Sequence, residues 1–278
     1  MRTSEEKYYF KNESRSVCAF LYKDYSIEPH NHDFFEINIV MKGKGVHQID
    51  KASFAVTPGD VFVIPPMVVH SYYDTENLDV YHILLQKRFV FENRKEYESI
   101  PGFLQLIETE PFLRQHFSKE MFLHLSYAQL MQLKTDLDFI DENNSFHKDG
   151  LEPLKNHTTW KILYWFSDLL RKQTYKDERK NLNKYEMEII GVLEYIHRNY
   201  CNKITIDSLC KRSFLSRSTL LRSFYNVCKC SPIEYVNRYR CKKALELLDN
   251  TRFSKTEIAH SCGFYDLSHM ERTMKRLL

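Results

Sequence analysis

The last third of the chain carries the same short pattern twice, and this duplication restricts the fold more than any other feature. From Ile204 the run Ile-Thr-Ile-Asp-Ser-Leu-Cys predicts a short helix, and Phe214-Leu215-Ser216 predicts a tight turn. Ser216 then has the chemistry to cap a second helix over 217–227, because its hydroxyl accepts from a free first-turn N–H. From Ser254 the run Ser-Lys-Thr-Glu-Ile-Ala leads into Ser261-Cys262-Gly263-Phe264, and Asp266 caps a helix over 267–277. Two short helices joined by a tight turn form a helix-turn-helix. A helix over 186–200, with Ile189, Ile190, Leu193 and Ile196 on one side, precedes the first copy. A longer helix over 232–248, opened by Pro232 at a favourable first-turn position, holds the copies apart. This region is all-α.

Charge divides the chain at the same place. Residues 184–278 carry 17 basic and 10 acidic side chains, a net of +7, while the rest carries 23 basic and 27 acidic, a net of −4. A basic unit of this kind points to nucleic acid. The 278 residues suffice for about two domains, and 43% hydrophobic with 14% aromatic content excludes global disorder. No apolar run approaches the roughly 20 residues of a membrane-spanning helix. The charged start MRTSEEKYYFKNESR lacks the apolar stretch of a secretory signal. Seven cysteines, six of them within 201–262, read as reduced thiols. Cys228-Lys229-Cys230 lacks the spacing of a zinc or redox pair.

The first third reads as strands over 17–27, 34–41, 45–49, 53–57, 61–64, 69–73 and 80–85, punctuated by Lys42-Gly43-Lys44-Gly45, Thr57-Pro58-Gly59-Asp60 and Pro65-Pro66. Short strands with tight turns favour a sandwich or small barrel. Alternation places His30, His32, Phe34, Glu36 and Asn38 on one face, and Phe35, Ile37, Ile39 and Met41 on the other. The polar set is a solvated face in an open sheet, or a cavity wall in a closed one. The middle reads as helices over 118–137 and 156–172, the second with a stripe of Trp160, Leu163, Tyr164, Phe166 and Leu170. That stripe packs on the sheet or on a second copy. Residues 139–154 read as a loop, and 174–184 as a linker.

Two resemblances follow from these motifs. His30-x-His32, Glu36, Gly43, then Gly59-x5-Pro65 and His70 resemble the paired motifs of cupin barrels, with Met67 where that family usually has glycine. The resemblance implies a metal site of His30, His32, Glu36 and His70, a donor set suited to a divalent transition ion. A polar pocket without metal is the other outcome, and Asn38, Tyr72 and His82, with Tyr22, are candidates for its wall. The last third resembles the DNA-binding domain of the AraC/XylS family of bacterial transcription regulators over 185–278. It does so on Ile206-x2-Leu209, Leu215-Ser216, Leu220-x-Arg222-x-Phe224, Ser231-Pro232-x2-Tyr235, Arg240-x3-Ala244-x2-Leu247-Leu248 and Glu257-Ile258-Ala259-x3-Gly263-Phe264.

The resemblance implies an α+β two-domain protein. A cupin-like β-barrel with flanking helices (1–173, barrel about 17–90, helices about 118–173) precedes a linker over 174–184 and an all-α domain with two helix-turn-helix units over 185–278. It implies a cytoplasmic, non-membrane regulator that senses a small polar effector, a sugar among the candidates. Double-stranded DNA, RNA polymerase and a second copy joined through 118–173 are its partners, and no cofactor is required. Arg217, Ser218, Thr219, Leu221 and Arg222 in the first unit, and Leu267, Ser268 and Arg272 in the second, are the expected DNA-facing residues, with Glu271 beside them. Leu220, Phe224, Met270 and Met274 are expected to face inward. The family continues past the second recognition helix with a further helix, so the chain is expected to end one helix early. The alternative from a different class is a metal-dependent cupin enzyme using His30, His32, Glu36 and His70.

Overall fold

The computed structural model describes residues 2–4, 9–10, 16–92, 97–117, 123–143, 151–176, 184–250 and 253–277. The chain divides into two compact units, Met1–Lys180 and Asn181–Leu278.

The first unit is built on two long strands. β1 (Arg2–Ser4), β2 (Val17–Tyr22) and β3 (Ile27–His32) lead into the 15-residue β4 (Phe35–Ile49). β5 (Ala52–Val56) and β6 (Asp60–Ile64) precede the 16-residue β7 (His70–Leu85). β4 and β7 run antiparallel from Phe35 opposite Leu85 to Ile49 opposite His70, with register shifts between Val40 and Val46. The expected breaks at Gly43 and in 74–79 are therefore bulges inside continuous strands. Gly43 sits at φ +80, and a Cβ there would lie 2.2 Å from the Asn77 carbonyl oxygen, so only glycine lets the strands approach. Opposite it, Asp74 and Asn77 take φ 49, a conformation their short polar side chains tolerate.

The bulges bend the sheet into two leaves. β2 pairs with the second half of β7 and β6 with the first half of β4, while β3 and β5 pair with the other halves. Val40, Ile49, Phe54, Val56, Phe62, Ile64, Tyr72 and Val80 from both leaves form one buried cluster. The ladder order is β1-β3-β7-β4-β6-β8, where β8 is the two-residue Leu123–His124, with β2 on β7 and β5 on β4. Among the described residues this path does not return to its start, so the expected barrel is a bent sheet and not a ring closed by hydrogen bonds.

The outer face carries Ile37, Ile39, Val61, Val63, Tyr81 and Ile83, the apolar side of the alternation, beneath the helices. α1 (Lys87–Glu92) is followed by a π-turn (Gln105–Thr109) that runs into α2 (Glu110–Phe117). α2 sends Arg114 into the core, where it donates to the Val63 carbonyl, pairs with Glu110 at 3.1 Å and lies 5.3 Å over the Phe62 ring. The two-residue β8 (Leu123–His124) pairs with Asp60 and Val61 at the sheet edge. It falls where a helix over 118–137 was expected, because sheet pairing overrides local helical spacing. Residues 118–122 lie outside the described residues.

α3 (Tyr127–Glu142) starts instead at a capping box, where Ser126 Oγ accepts from Gln129 N at 3.3 Å and Gln129 Oε1 accepts from Ser126 N at 2.8 Å. α4 (Leu151–Lys176) is longer than expected at both ends. The expected loop thus shrinks to within 143–150, with 144–150 outside the described residues. Thr174–Lys176, expected in the linker, are helical, and 177–183 lie outside the described residues.

Of the α4 stripe, Leu163, Phe166 and Leu170 are buried against the sheet and Trp160 packs beside them, each fully buried side chain contributing about 1.5–3 kcal/mol. Tyr164 is 57% exposed, so the stripe is narrower than expected. Among the described residues, no helix is long and apolar enough to cross a membrane, and the seven cysteines are free thiols.

The second unit comprises α5 (Lys184–Asn199), α6 (Ile206–Ser213), α7 (Arg217–Cys228), α8 (Pro232–Asn250), α9 (Lys255–Ser261) and α10 (Leu267–Leu277). α5 packs on α6 and α7, and α8 packs on α7 and also on α9 and α10. Thr205, Ser216 and Ser254 accept from first-turn N–H groups, and Asp266 Oδ1 accepts from His269 N at 2.7 Å. Gly263, at φ +78, passes so close to α5's end that a Cβ would meet the Tyr200 and Cys201 carbonyls at 2.7 Å. Arg240 from α8 donates to the carbonyls of Tyr200 and Asn202 at 2.7 Å each. The second helix-turn-helix is thereby tied to the start of the first.

Candidate functional site

A pocket of the first unit has a volume of about 440 Å³ and is lined by Tyr9, Phe20, Tyr22, Tyr25, Ile27, Glu28, His30, His32, Phe34, Glu36, His82 and Leu84, among others. Its polar floor is placed by alternation. Glu36 and Asn38 lie on the inner face of β4, and the register sets Asn38 opposite His82 and Glu36 opposite Leu84 of β7. Bending of the sheet turns this face inward, so Glu36, Asn38, His32, His70 and His82 are all buried.

Glu36 organises the group. Its Oε1 accepts from His82 Nδ1 at 2.6 Å, and its Oε2 lies 3.0 Å from His32 Nε2 and 3.2 Å from His70 Nε2. Burial alone would raise its carboxyl, but the facing His82 and the hydrogen bonds from His32 and His82 hold it well below the ordinary carboxylate range. Burial pushes the His70 imidazole down to about 3, against the opposing pull of Glu36. It also holds His47 well below the usual histidine range, with His70 acting in the same direction. His30 is lowered by burial as well. Its Nδ1 donates to the Glu28 carbonyl at 3.0 Å, and its ring lies 4.3 Å from that of His70.

With Nδ1 committed as a donor and burial lowering its pKa, the neutral His30 ring offers Nε2 as an acceptor. His82 Nε2, His47 Nδ1, the Asn38 amide and the Tyr72 hydroxyl are buried without a hydrogen-bond partner.

Of the residues expected to line the pocket, His30, His32, Glu36 and His82 do so, and so does Tyr22. Asn38, His70 and Tyr72 are buried behind the floor. Of the four positions in the cupin motif, His32, Glu36 and His70 bring ligand atoms within 4.8 Å of one another, while His30 stands apart from that trio. Sequence reasoning missed His47, stacked on Tyr72 at 4.0 Å and 3.4 Å from His70 Nδ1. Reading Gly43-Lys44-Gly45 as a turn broke the strand that would have linked it to Glu36. The aromatic wall of Tyr9, Phe20 and Tyr25 was missed too. Tyr22 and Tyr25 stack at 5.4 Å, and Tyr25 meets His82 edge-on at 4.7 Å. Met67, in place of the family's glycine, sits at φ 67 and is 60% exposed.

In the second unit, Arg217, Ser218 and Arg222 of α7 and Ser268, Glu271 and Arg272 of α10 are exposed, and Thr219, Leu221 and Leu267 are partly exposed. Thr219 Oγ1 also bonds Ser216 Oγ at 2.9 Å, and Arg217 lies 3.6 Å from Asp207. Leu220, Phe224 and Met270 are buried and Met274 packs beside Met270, so each helix presents one basic, hydroxyl-bearing face and one apolar face.

A pocket-bearing sheet unit followed by two helix-turn-helix units defines a ligand-responsive transcription regulator, not an enzyme. Residues 18–132 match the AraC-like ligand binding domain and residues 209–278 match a helix-turn-helix domain, the two parts of an AraC-type transcription regulator. It is similar to the HTH-type transcriptional activator RhaS of Escherichia coli O139:H28, at 26% identity over 89% of this chain and 83% of that protein. RhaS of Escherichia coli O1:K1 is 27% identical over the same shares. The structure of ToxT from Vibrio cholerae aligns over 95% of each chain at 12% identity, with a TM-score of 0.36.

Proposed function

We propose that a small polar effector with several hydrogen-bond donors, such as a sugar, enters the first unit's pocket and changes how the second unit engages duplex DNA. The observation that carries this reading is the pocket's floor and wall. The imidazole acceptor His30 Nε2 and the Glu36 carboxylate lie among the aromatic faces of Phe20, Tyr22 and Tyr25, with no Lys or Arg among the described lining residues. Such a floor complements hydroxyl or amide donors and disfavours carboxylate or phosphate ligands. Arg217, Ser218, Thr219, Leu221 and Arg222, and Leu267, Ser268 and Arg272, are the residues we assign to DNA. They act through base edges in the groove and through phosphates beside it.

The effector can shift DNA binding only through unequal affinity for two states of the protein. The relatives are named activators, so we assign activation as the direction, with RNA polymerase as a further partner. We place the homodimer contact on the helices of the first unit, where Tyr127 is 77% and Tyr164 57% exposed. The cytoplasm is the compartment this function requires.

Screening sugars and polyols by thermal shift, with fluorescence of the first unit as the readout, tests the effector reading, because a ligand of the native state raises its midpoint. A neutral polyol that raises the midpoint, and loses that effect in Glu36→Gln, supports it. Stabilisation by carboxylates alone overturns it. Duplex affinity that falls steeply with salt supports the DNA reading, and no duplex binding at low salt ends it.

The trio His32, Glu36 and His70 favours a second reading, in which these three side chains hold a divalent transition ion at the pocket floor. Two imidazoles and a carboxylate suit such an ion. It would supply a Lewis-acidic contact for effector oxygens. Elemental analysis of protein purified without added metal decides it.

A further inference from the structure

Two turns of the second unit hold out aromatic rings that contribute nothing to its core. Phe214 ends α6 in the left-handed region, at φ 54 and ψ 22, and is 90% exposed. A bulky side chain has no conformational reason to sit there, and an exposed ring gains nothing from burial. In the second helix-turn-helix, Gly263 takes the left-handed position at φ 78, which is the expected residue for it. An exposed ring is nonetheless present two residues on. Tyr265 is 84% exposed and directly precedes the capping Asp266. The two turns solve the backbone problem differently, and the outward aromatic ring is what they share.

Each ring stands at the entrance to a recognition helix. Phe214 lies two residues before Ser216, the cap of α7, whose first turn exposes Arg217 and Ser218. Tyr265 lies two residues before Leu267, and Ser268 follows it in the exposed first turn of α10. A recognition helix enters the major groove by its N-terminal residues, so the turn before it runs along the groove edge, beside sugars and phosphates.

We propose that Phe214 and Tyr265 are DNA-contact residues whose rings lie against deoxyribose at the groove edge, one for each helix-turn-helix. This rests on the reading that the second unit binds duplex DNA. Phe214 has no polar side-chain atom, so its contact strengthens binding to any sequence. Tyr265 adds a hydroxyl that can donate to a phosphate. A protein partner on the same rings is the competing occupant, and it would leave DNA affinity untouched.

The test uses the full chain and fluorescence anisotropy on two duplexes, one selected by the unaltered chain from a randomised pool and one of scrambled sequence. Phe214→Gly relieves the left-handed strain, so the thermal midpoint of the second unit by circular dichroism is expected to rise while both duplexes bind about fivefold more weakly. These opposite signs separate contact from folding. Phe214→Tyr is expected to stay within about twofold of the unaltered chain, and Tyr265→Ala to lose about fivefold on both duplexes. If Phe214→Gly does not fold, Tyr265→Ala decides alone.

Binding by both truncating variants within about twofold of the unaltered chain overturns the proposal. A loss confined to the selected duplex overturns the sugar-edge assignment. Failure of the unaltered chain to bind either duplex defeats the DNA reading itself, a result distinct from failure of the rings.

Discussion

Acidification is expected to destabilise the first unit, and His70 carries a defined share of the effect. In the folded chain burial holds the His70 imidazole at about 3, while an unfolded histidine titrates near 6.5. Between these values the unfolded state takes up a proton that the folded state refuses, so stability falls as pH falls through that window. From pH 7 to pH 5 the loss assigned to His70 alone is about 2 kcal/mol. His47 is also depressed and adds in the same direction. Glu36 does not contribute in this range. Its carboxyl is lowered below the ordinary value, so its stabilisation is lost only below the usual carboxylate pKa.

The assay is built into the chain. Both tryptophans, Trp160 and Trp165, lie on α4 of the first unit, so tryptophan fluorescence in a urea titration reports that unit. The titrations are run with chelator present, so that loss of a bound ion does not imitate proton uptake. The comparison is the pH 7 to pH 5 difference in unfolding free energy for the unaltered chain and for His70→Gln. The variant starts less stable, and its difference should be smaller by about 2 kcal/mol. Equal pH differences in the two proteins would refute the assignment of a depressed, neutral His70 behind the pocket floor.

Further outcomes follow from single contacts. Met67→Gly places glycine at φ 67 and should raise the first unit's stability by about 1 kcal/mol, read from the urea midpoint at constant slope. Phe224→Ala removes a fully buried ring of α7 that meets Tyr235 edge-on at 5.7 Å, and should cost about 3–5 kcal/mol in thermal unfolding of the second unit. Arg222→Ala should weaken the selected duplex by about 1–3 kcal/mol if the guanidinium reads a base, and an equal loss on scrambled DNA would assign it to phosphate. Glu36→Gln leaves His32 and His82 without their shared carboxylate, and calorimetry should show loss of effector binding with the fold retained.

The second unit was legible because its determinants are local. Ser216, Ser254, Asp266 and Pro232 each mark a helix start within three residues of sequence, and the structure begins each helix there. The alternation from Glu36 to Asn38 was legible for the same reason. Hidden from local reading were features decided by distant chain. Gly43 looks like a turn residue until Asn77 is brought against it, and Leu123 looks helical until Val61 offers an edge to pair with. Tyr25 and His47 entered the site by the same route, through the bend of a sheet whose two strands are far apart in sequence.

The β4–β7 ladder also sets an order of assembly. At one end Ile49 meets His70, across a short intervening chain, and at the other Phe35 meets Leu85, across a much longer one. Closing the shorter loop is favoured by about 0.8 kcal/mol of chain entropy, so the ladder zips from the end that carries His47 and His70. Glu36 and His82 sit toward the other end and join last. The pocket floor is therefore complete only after the whole ladder has closed, which makes effector binding a report on the finished fold and denies partly folded chains a premature signal.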